Sequence, residues 1–390
     1  MRIPAITRQV AGLLAACALA ACASYDNPYY VHSVWRPADG AASSAPVFFV
    51  TDRKADGTPG GFGYEYAGKA ACGRITASIP AAKLPAGPDI FAEPVKPETI
   101  ACAKNGSSFA GLIAAIRAAT PDCHRVMIFV HGYYTGFATA ALRTAQLKSD
   151  TQWPCGAIAF SWSSTGKARG YAADKTYAVQ AEPMLDALIG ELQGAGLESE
   201  IIAHSMGTFL VLDALAKLTP DARARPVGEL LLYAPDIGAD ANNDDFLPRA
   251  KAIAPIVRRI TIYASSGDAV LAASRRINGT DRLGRTPDAD FLRYRAPGTI
   301  DVIDASDVPG DFSGHNYYGL AYEAVDDMAL TLAGISAHDR SGSVWGRKPT
   351  LRCKSNRGDC VPALRIDWTR QPDPYWRLLR WLVSILPLPL

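Results

Sequence analysis

Ile201-Ile202-Ala203-His204-Ser205-Met206-Gly207 is an apolar run that ends on a serine set among small residues and leads directly into helix-forming sequence. A strand that turns sharply into a helix at a serine is a nucleophile elbow: the strained turn projects the hydroxyl beyond the edge of the sheet. The positions two before and two after the serine must be small, because the strand and helix backbones crowd there. They are Ala203 and Gly207. The common pattern has glycine at both, so Ala203 departs from it by one methyl group. This reading makes Ser205 a nucleophile, and the backbone N–H of Met206 one donor to the oxyanion that its attack creates.

Outward from the elbow, apolar runs alternate with helical stretches. Strands are expected at residues 47–50, 72–79, 125–130, 156–160, 200–203, 229–233, 259–264 and 299–303. Helices are expected at 107–119, 138–148, 171–193, 206–217, 269–276 and 317–334, with a Pro-rich connection over 80–97. This alternation signals βαβ units and a mostly parallel central sheet with helices on both faces. With the elbow it predicts the α/β class and the α/β-hydrolase fold. The chain has 390 residues, 48% of them hydrophobic, which suffices for one large core. No repeat or composition break divides it, so the expected organisation is a signal segment over 1–21, a leader over 22–46, the hydrolase domain over 47–340 and a C-terminal extension over 341–390.

A serine hydroxyl is a poor nucleophile until a base takes its proton. In the α/β-hydrolase fold the order along the chain is Ser, acid, His. Of the 6 histidines, His315 and His338 follow Ser205. His315 stands in Ser313-Gly314-His315-Asn316, a loop after the last expected strand, where the base belongs; His338 lies in a polar segment and reads as a surface residue. His124 opens a strand and so belongs at the far edge of the sheet, and His204 reads as a support for the turn. The acid should follow a strand between Ser205 and His315. Asp268, in Ser265-Ser266-Gly267-Asp268, is preferred because the acid most often follows the later strand; Asp236, in Ala234-Pro235-Asp236-Ile237, is the alternative. Either aspartate also suits a helix N-cap. The second oxyanion donor should come from His131-Gly132-Tyr133-Tyr134, where Gly132 lets the backbone approach the substrate and Tyr133 offers its N–H.

A net charge of +2 gives no electrostatic reason to expect nucleic acid. The first residues have the grammar of an export signal: Arg2 and Arg8 are basic, and residues 10–21 are apolar but too short to span a bilayer. The segment ends in Leu19-Ala20-Ala21-Cys22, which resembles the lipobox of bacterial lipoproteins and makes Cys22 the expected lipidation site. Ala23 after it indicates an outer-membrane lipoprotein facing the periplasm, an exported cell-envelope location. A second copy ending at Cys17 leaves a shorter apolar region, and plain secretion is the alternative. Cys72, Cys102, Cys123, Cys155, Cys353 and Cys360 remain, an even set suited to an oxidising compartment and lacking the CxxC spacing of zinc sites. Cys123 and Cys155 each precede one of two neighbouring parallel strands, which predicts their pairing. Cys353 with Cys360 is the second guess, and Cys72 with Cys102 follows by elimination. In the tail, Trp376, Leu379, Leu382, Val383 and Leu386 share a helical face that suits either the domain's own core or a membrane surface.

Val47-Phe48-Phe49-Val50-Thr51-Asp52-Arg53, Phe129-Val130-His131-Gly132-Tyr133, Phe160-Ser161-Trp162-Ser163, Ala203-His204-Ser205-Met206-Gly207 and Ala234-Pro235-Asp236-Ile237 together resemble one bacterial α/β-hydrolase family of unknown function, described as esterase/lipase-like. The resemblance covers residues 47–334 and implies the fold and a serine-hydrolase triad, but no substrate. Alanine before His-Ser-Met-Gly is ordinary in that family. The expected chemistry is hydrolysis of a small-molecule or lipid carboxylic ester through an acyl-enzyme, with no metal or organic cofactor. The other expectation is an envelope lipoprotein that uses the fold for binding without turnover.

Overall fold

Residues 126–130, Val-Met-Ile-Phe-Val, are buried on both sides of the sheet, and their alternation shows why the strand is continuously apolar. Val126, Ile128 and Val130 face one helical layer, while Met127 and Phe129 face the other. The computed structural model describes residues 43–57, 61–79, 96–104, 108–167, 169–218, 227–240, 243–285, 294, 299–308, 310, 313–342, 348–356 and 359–366. The expected signal segment, Cys22 and the Trp-rich tail lie outside the described residues.

The chain begins with β1 (Ser43–Ala55), β2 (Phe62–Ile79) and β3 (Glu98–Ile100), followed by α1 (Ala110–Ala119), β4 (Arg125–Val130), α2 (Phe137–Asp150) and β5 (Gly156–Ser161). Next come α3 (Tyr171–Gly194), β6 (Glu198–His204), α4 (Gly207–Lys217), β7 (Val227–Tyr233), the short β8 (Ala239–Asp240) and β9 (Asn243–Asp244), and α5 (Phe246–Ile253). The last part contains β10 (Val257–Ala264), α6 (Ala269–Asn278), β11 (Ile300–Asp304), α7 (Tyr317–Leu320), α8 (Tyr322–Leu332), α9 (Ala337–Ser341), β12 (Leu351–Asn356) and β13 (Asp359–Leu364).

The main sheet has 11 strands in the order β12-β13-β11-β10-β7-β6-β4-β5-β1-β2-β3. From β13 to β1 every neighbouring pair is parallel. Antiparallel pairs close both edges. Helices α1, α3, α4 and α5 cover one face; α2, α7 and α8 cover the other. This is the α/β-hydrolase fold. It brings the C-terminal ends of the parallel strands to one edge, where open α/β sheets bind ligands. Among the described residues no helix is long and apolar enough to cross a membrane.

Several elements differ from expectation. β1 runs well past residue 50, because Thr51 and Arg53 are not solvent-facing ends. Thr51 Oγ1 donates to the Ser161 carbonyl at 2.6 Å, and Arg53 is buried among partners. The single helix expected over 317–334 is broken at Ala321, whose backbone is extended. Arg143 Nη1 and Gln146 Nε2 donate to the Gly319 carbonyl at 3.0 and 2.8 Å, occupying the acceptor that a continuous helix would use. Residues 351–364, expected in the C-terminal extension, supply β12 and β13 to the sheet. Disulfides join Cys72 to Cys102 and Cys123 to Cys155. Cys353 is also disulfide-bonded, and the side chain of Cys360, its expected partner, lies outside the described residues.

Candidate active site

Ser205 sits between β6 and α4 with φ of 53°, a left-handed backbone that costs a non-glycine residue about 1–3 kcal/mol. The surroundings hold it there. Its N–H donates to the Tyr233 carbonyl at 3.0 Å, and its own carbonyl accepts from Thr208 N and Asp236 N at 3.1 and 3.2 Å. Gly207 is dictated by space, since a Cβ there would lie 2.5 Å from the His131 carbonyl oxygen. Ala203 is different: its methyl group is fully buried within the apolar layer, so no glycine is needed.

Asp268 ends the loop after β10 and caps α6, its Oδ1 accepting from Leu271 N at 2.8 Å. Its Oδ2 lies 2.6 Å from His315 Nδ1, both side chains being buried. A carboxylate there fixes the proton on Nδ1 and leaves Nε2 as the basic nitrogen. The capping and histidine-orienting roles are therefore filled by different oxygens of one carboxylate. The His315 loop is tied to the start of α6 by Ala269 N donating to the Ser313 carbonyl at 2.9 Å. His204, next to Ser205, packs its ring 4.6 Å from the His315 ring and 4.3 Å from Tyr318, with Nε2 3.4 Å from the His315 carbonyl oxygen. Burial and the neighbouring His315 push the His204 pKa well below the usual histidine value, so it stays neutral.

Asp236 is engaged elsewhere. Its Oδ1 accepts from Arg282 Nε and Ser274 Oγ, both at 2.6 Å, and its Oδ2 accepts from the Tyr171 hydroxyl at 2.8 Å. Burial and the Asp236 charge push the Tyr171 phenol up to about 12. His124 is exposed before β4 and His338 is exposed on α9.

The loop after β4 lies against the elbow: a Cβ on Gly132 would come 2.8 Å from Ser205 Cβ. Met206 is the N-cap residue of α4, so its N–H lies at the helix N-terminus beside Ser205. The same loop contains His131, stacked on Trp162 at 4.8 Å, with Trp162 Nε1 donating to the His131 carbonyl at 2.9 Å. Burial and Arg53 lower the His131 pKa to about 3. Asp52 and Arg53 stood in the sequence only as part of the motif over 47–53, with no role, and Asp174 was not noticed; all three are buried charged residues at this edge. The signal was charge at a strand end and in a first helical turn, which ordinarily means solvent.

An uncharacterized protein from Nostoc sp. (strain PCC 7120) is 39% identical over 67 residues, and in that match the chain spans 17% of the relative's length and 17% of its own. A solved structure of a thermostable esterase from Pseudomonas putida is 11% identical and aligns over 82% of this chain and 86% of its own, with a TM-score of 0.33. The profile described as "Alpha/beta hydrolase of unknown function (DUF900)" matches residues 112–331, a span containing the elbow, the His315 loop and both aspartates. The chain belongs to that family of α/β hydrolases.

Proposed function

We propose that the protein is a serine hydrolase of carboxylic esters, with Ser205 as nucleophile, His315 as base and Asp268 as the acid that orients it. The observation that carries this reading is the buried 2.6 Å pairing of His315 Nδ1 with Asp268 Oδ2, at the same sheet edge as the strained Ser205. Ser205 Oγ attacks the ester carbonyl and its proton passes to His315 Nε2, while Asp268 stabilises the imidazolium. The Met206 and Tyr133 N–H groups receive the oxyanion. Collapse expels the alcohol, which takes the proton back from His315, and water releases the acid from the acyl-enzyme by the same route. Asp236 serves the elbow instead, through its N–H on the Ser205 carbonyl.

We also propose export and lipid anchoring at Cys22 in the cell envelope, supported by the apolar run before Leu19-Ala20-Ala21-Cys22 and by the disulfides. Metabolic labelling with a palmitate analogue, lost in Cys22→Ala, is the expected result.

The ester reading is tested with p-nitrophenyl esters of graded chain length. Turnover with an initial burst equal to the enzyme concentration, absent in Ser205→Ala, is expected. Absence of any turnover by folded protein across the series would reject ester hydrolysis and favour a binding role.

A further inference from the structure

Beyond Thr51 the pairing of β1 with β2 shifts register, and both Asp52 and Arg53 turn out of contact with solvent. Arg53 then crosses the sheet edge. Its Nε donates to Ser161 Oγ at 3.0 Å, its Nη1 to the Gly63 carbonyl at 3.2 Å and its Nη2 to the Thr135 carbonyl at 2.6 Å. The Thr135 carbonyl also accepts from Ser164 Oγ at 2.9 Å. Thr135 closes the loop that begins at His131, and Arg53 Nη2 stands 3.5 Å from His131 Nε2 at its other end.

The middle of the same loop is held from α3. Tyr134 has φ of 57°, a left-handed backbone unusual for a large side chain. Its N–H donates to Asp174 Oδ2 at 3.0 Å, and Asp174 Oδ1 accepts from Thr165 N at 2.6 Å. Asp174 is fully buried in the first turn of α3. Two buried charges therefore clamp a strained loop whose Gly132 abuts Ser205. Such contacts satisfy the buried backbone groups of the loop, and they also fix it in place, as an oxyanion hole requires of its donors before the charge develops.

We infer that Arg53 and Asp174 are positioning residues for acyl transfer at Ser205, holding residues 132–135 so that the Tyr133 N–H faces the oxyanion. This rests on Ser205 being the nucleophile. Asp174→Asn turns one acceptor oxygen into an NH₂ group that opposes a backbone N–H. Arg53→Met removes every guanidinium contact. Arg53→Lys keeps the buried charge but reaches fewer carbonyls.

The test is the second-order rate of phosphonylation by a fluorophosphonate, followed from pH 5 to 9. In that step the Ser205 Oγ–P bond forms, the P–F bond breaks, fluoride leaves and the hydroxyl proton goes to His315. Loss of a donor of this kind lowers rates by about 10²–10³. Asp174→Asn and Arg53→Met are expected to react at least tenfold more slowly, with Arg53→Lys between them and wild type. The pH midpoint, a property of His315 and Asp268, is expected to stay in place. Folded Asp174→Asn and Arg53→Lys reacting within twofold of wild type would overturn the inference, as would slow reaction with a displaced midpoint. Wild type that fails to react overturns the Ser205 reading itself, and the inference with it.

Discussion

Gly132→Ala places the smallest side chain where the account allows none. A Cβ at residue 132 would lie 2.8 Å from Ser205 Cβ and 3.2 Å from both Nδ1 and the carbonyl oxygen of His204. Carbon atoms in contact sit at about 3.5–4.0 Å, so loop and elbow must separate by roughly 1 Å. Neither side yields freely. Ser205 is held through Tyr233 and Asp236, and the loop through Asp174 and Arg53. Overpacking of this kind costs about 1–3 kcal/mol of stability. A displacement of about 1 Å between nucleophile and oxyanion donors costs about 10²-fold in rate. The assay is steady-state hydrolysis of p-nitrophenyl acetate with urea denaturation in parallel; kcat should fall about 10²-fold while the fold survives. Gly194→Ala is the control, because an added Cβ at the end of α3 meets nothing within 4 Å and kcat should not change. If Gly132→Ala keeps kcat within threefold of wild type, the apposition of this loop and Ser205 has no catalytic meaning.

Asp268→Asn should separate the two roles of that carboxylate: asparagine caps α6 nearly as well, so urea stability changes little, while kcat falls about 10⁴-fold because His315 loses its orienting acceptor. Glu200, buried at the opposite sheet edge against Arg125 and Glu229 N, is pushed up to about 7 from 4.5, chiefly by burial. Its folded pKa lies above its unfolded one, so its stabilising contribution is complete below pH 4.5 and is lost as pH rises to about 7. The stability of wild type relative to Glu200→Gln should therefore fall by up to about 3 kcal/mol across that window in urea titrations; a flat difference contradicts the burial argument.

The parallel strands were legible because burial on both faces writes a continuous apolar run, and the elbow because its crowding admits only small residues. β1 beyond Val50 was not, since Arg53 finds its partner 82 residues away in Thr135 and looks like a solvated charge until the loop is in place. β12 and β13 were missed because β13 joins β11 at a single position, Asp304 opposite Ala363, and carries little of the central pattern. In the sequence Asp268 was preferred to Asp236 only because it follows the later strand, since each follows one. What distinguishes them is Arg282, 46 residues beyond Asp236, which engages that carboxylate within the fold. Asp174 reads in sequence as an ordinary acidic residue in a first helical turn; only the left-handed Tyr134 beside it gives it a different meaning.

The central claim is that Ser205 is an activated nucleophile, and the most direct measurement is the site of covalent modification by a fluorophosphonate, read by mass spectrometry of the labelled peptide. If Ser205 is the nucleophile, wild type carries one label per chain, on Ser205, and Ser205→Ala and His315→Ala of unchanged fold carry none. A folded wild type that stays unlabelled, or a label that persists in Ser205→Ala, contradicts the claim.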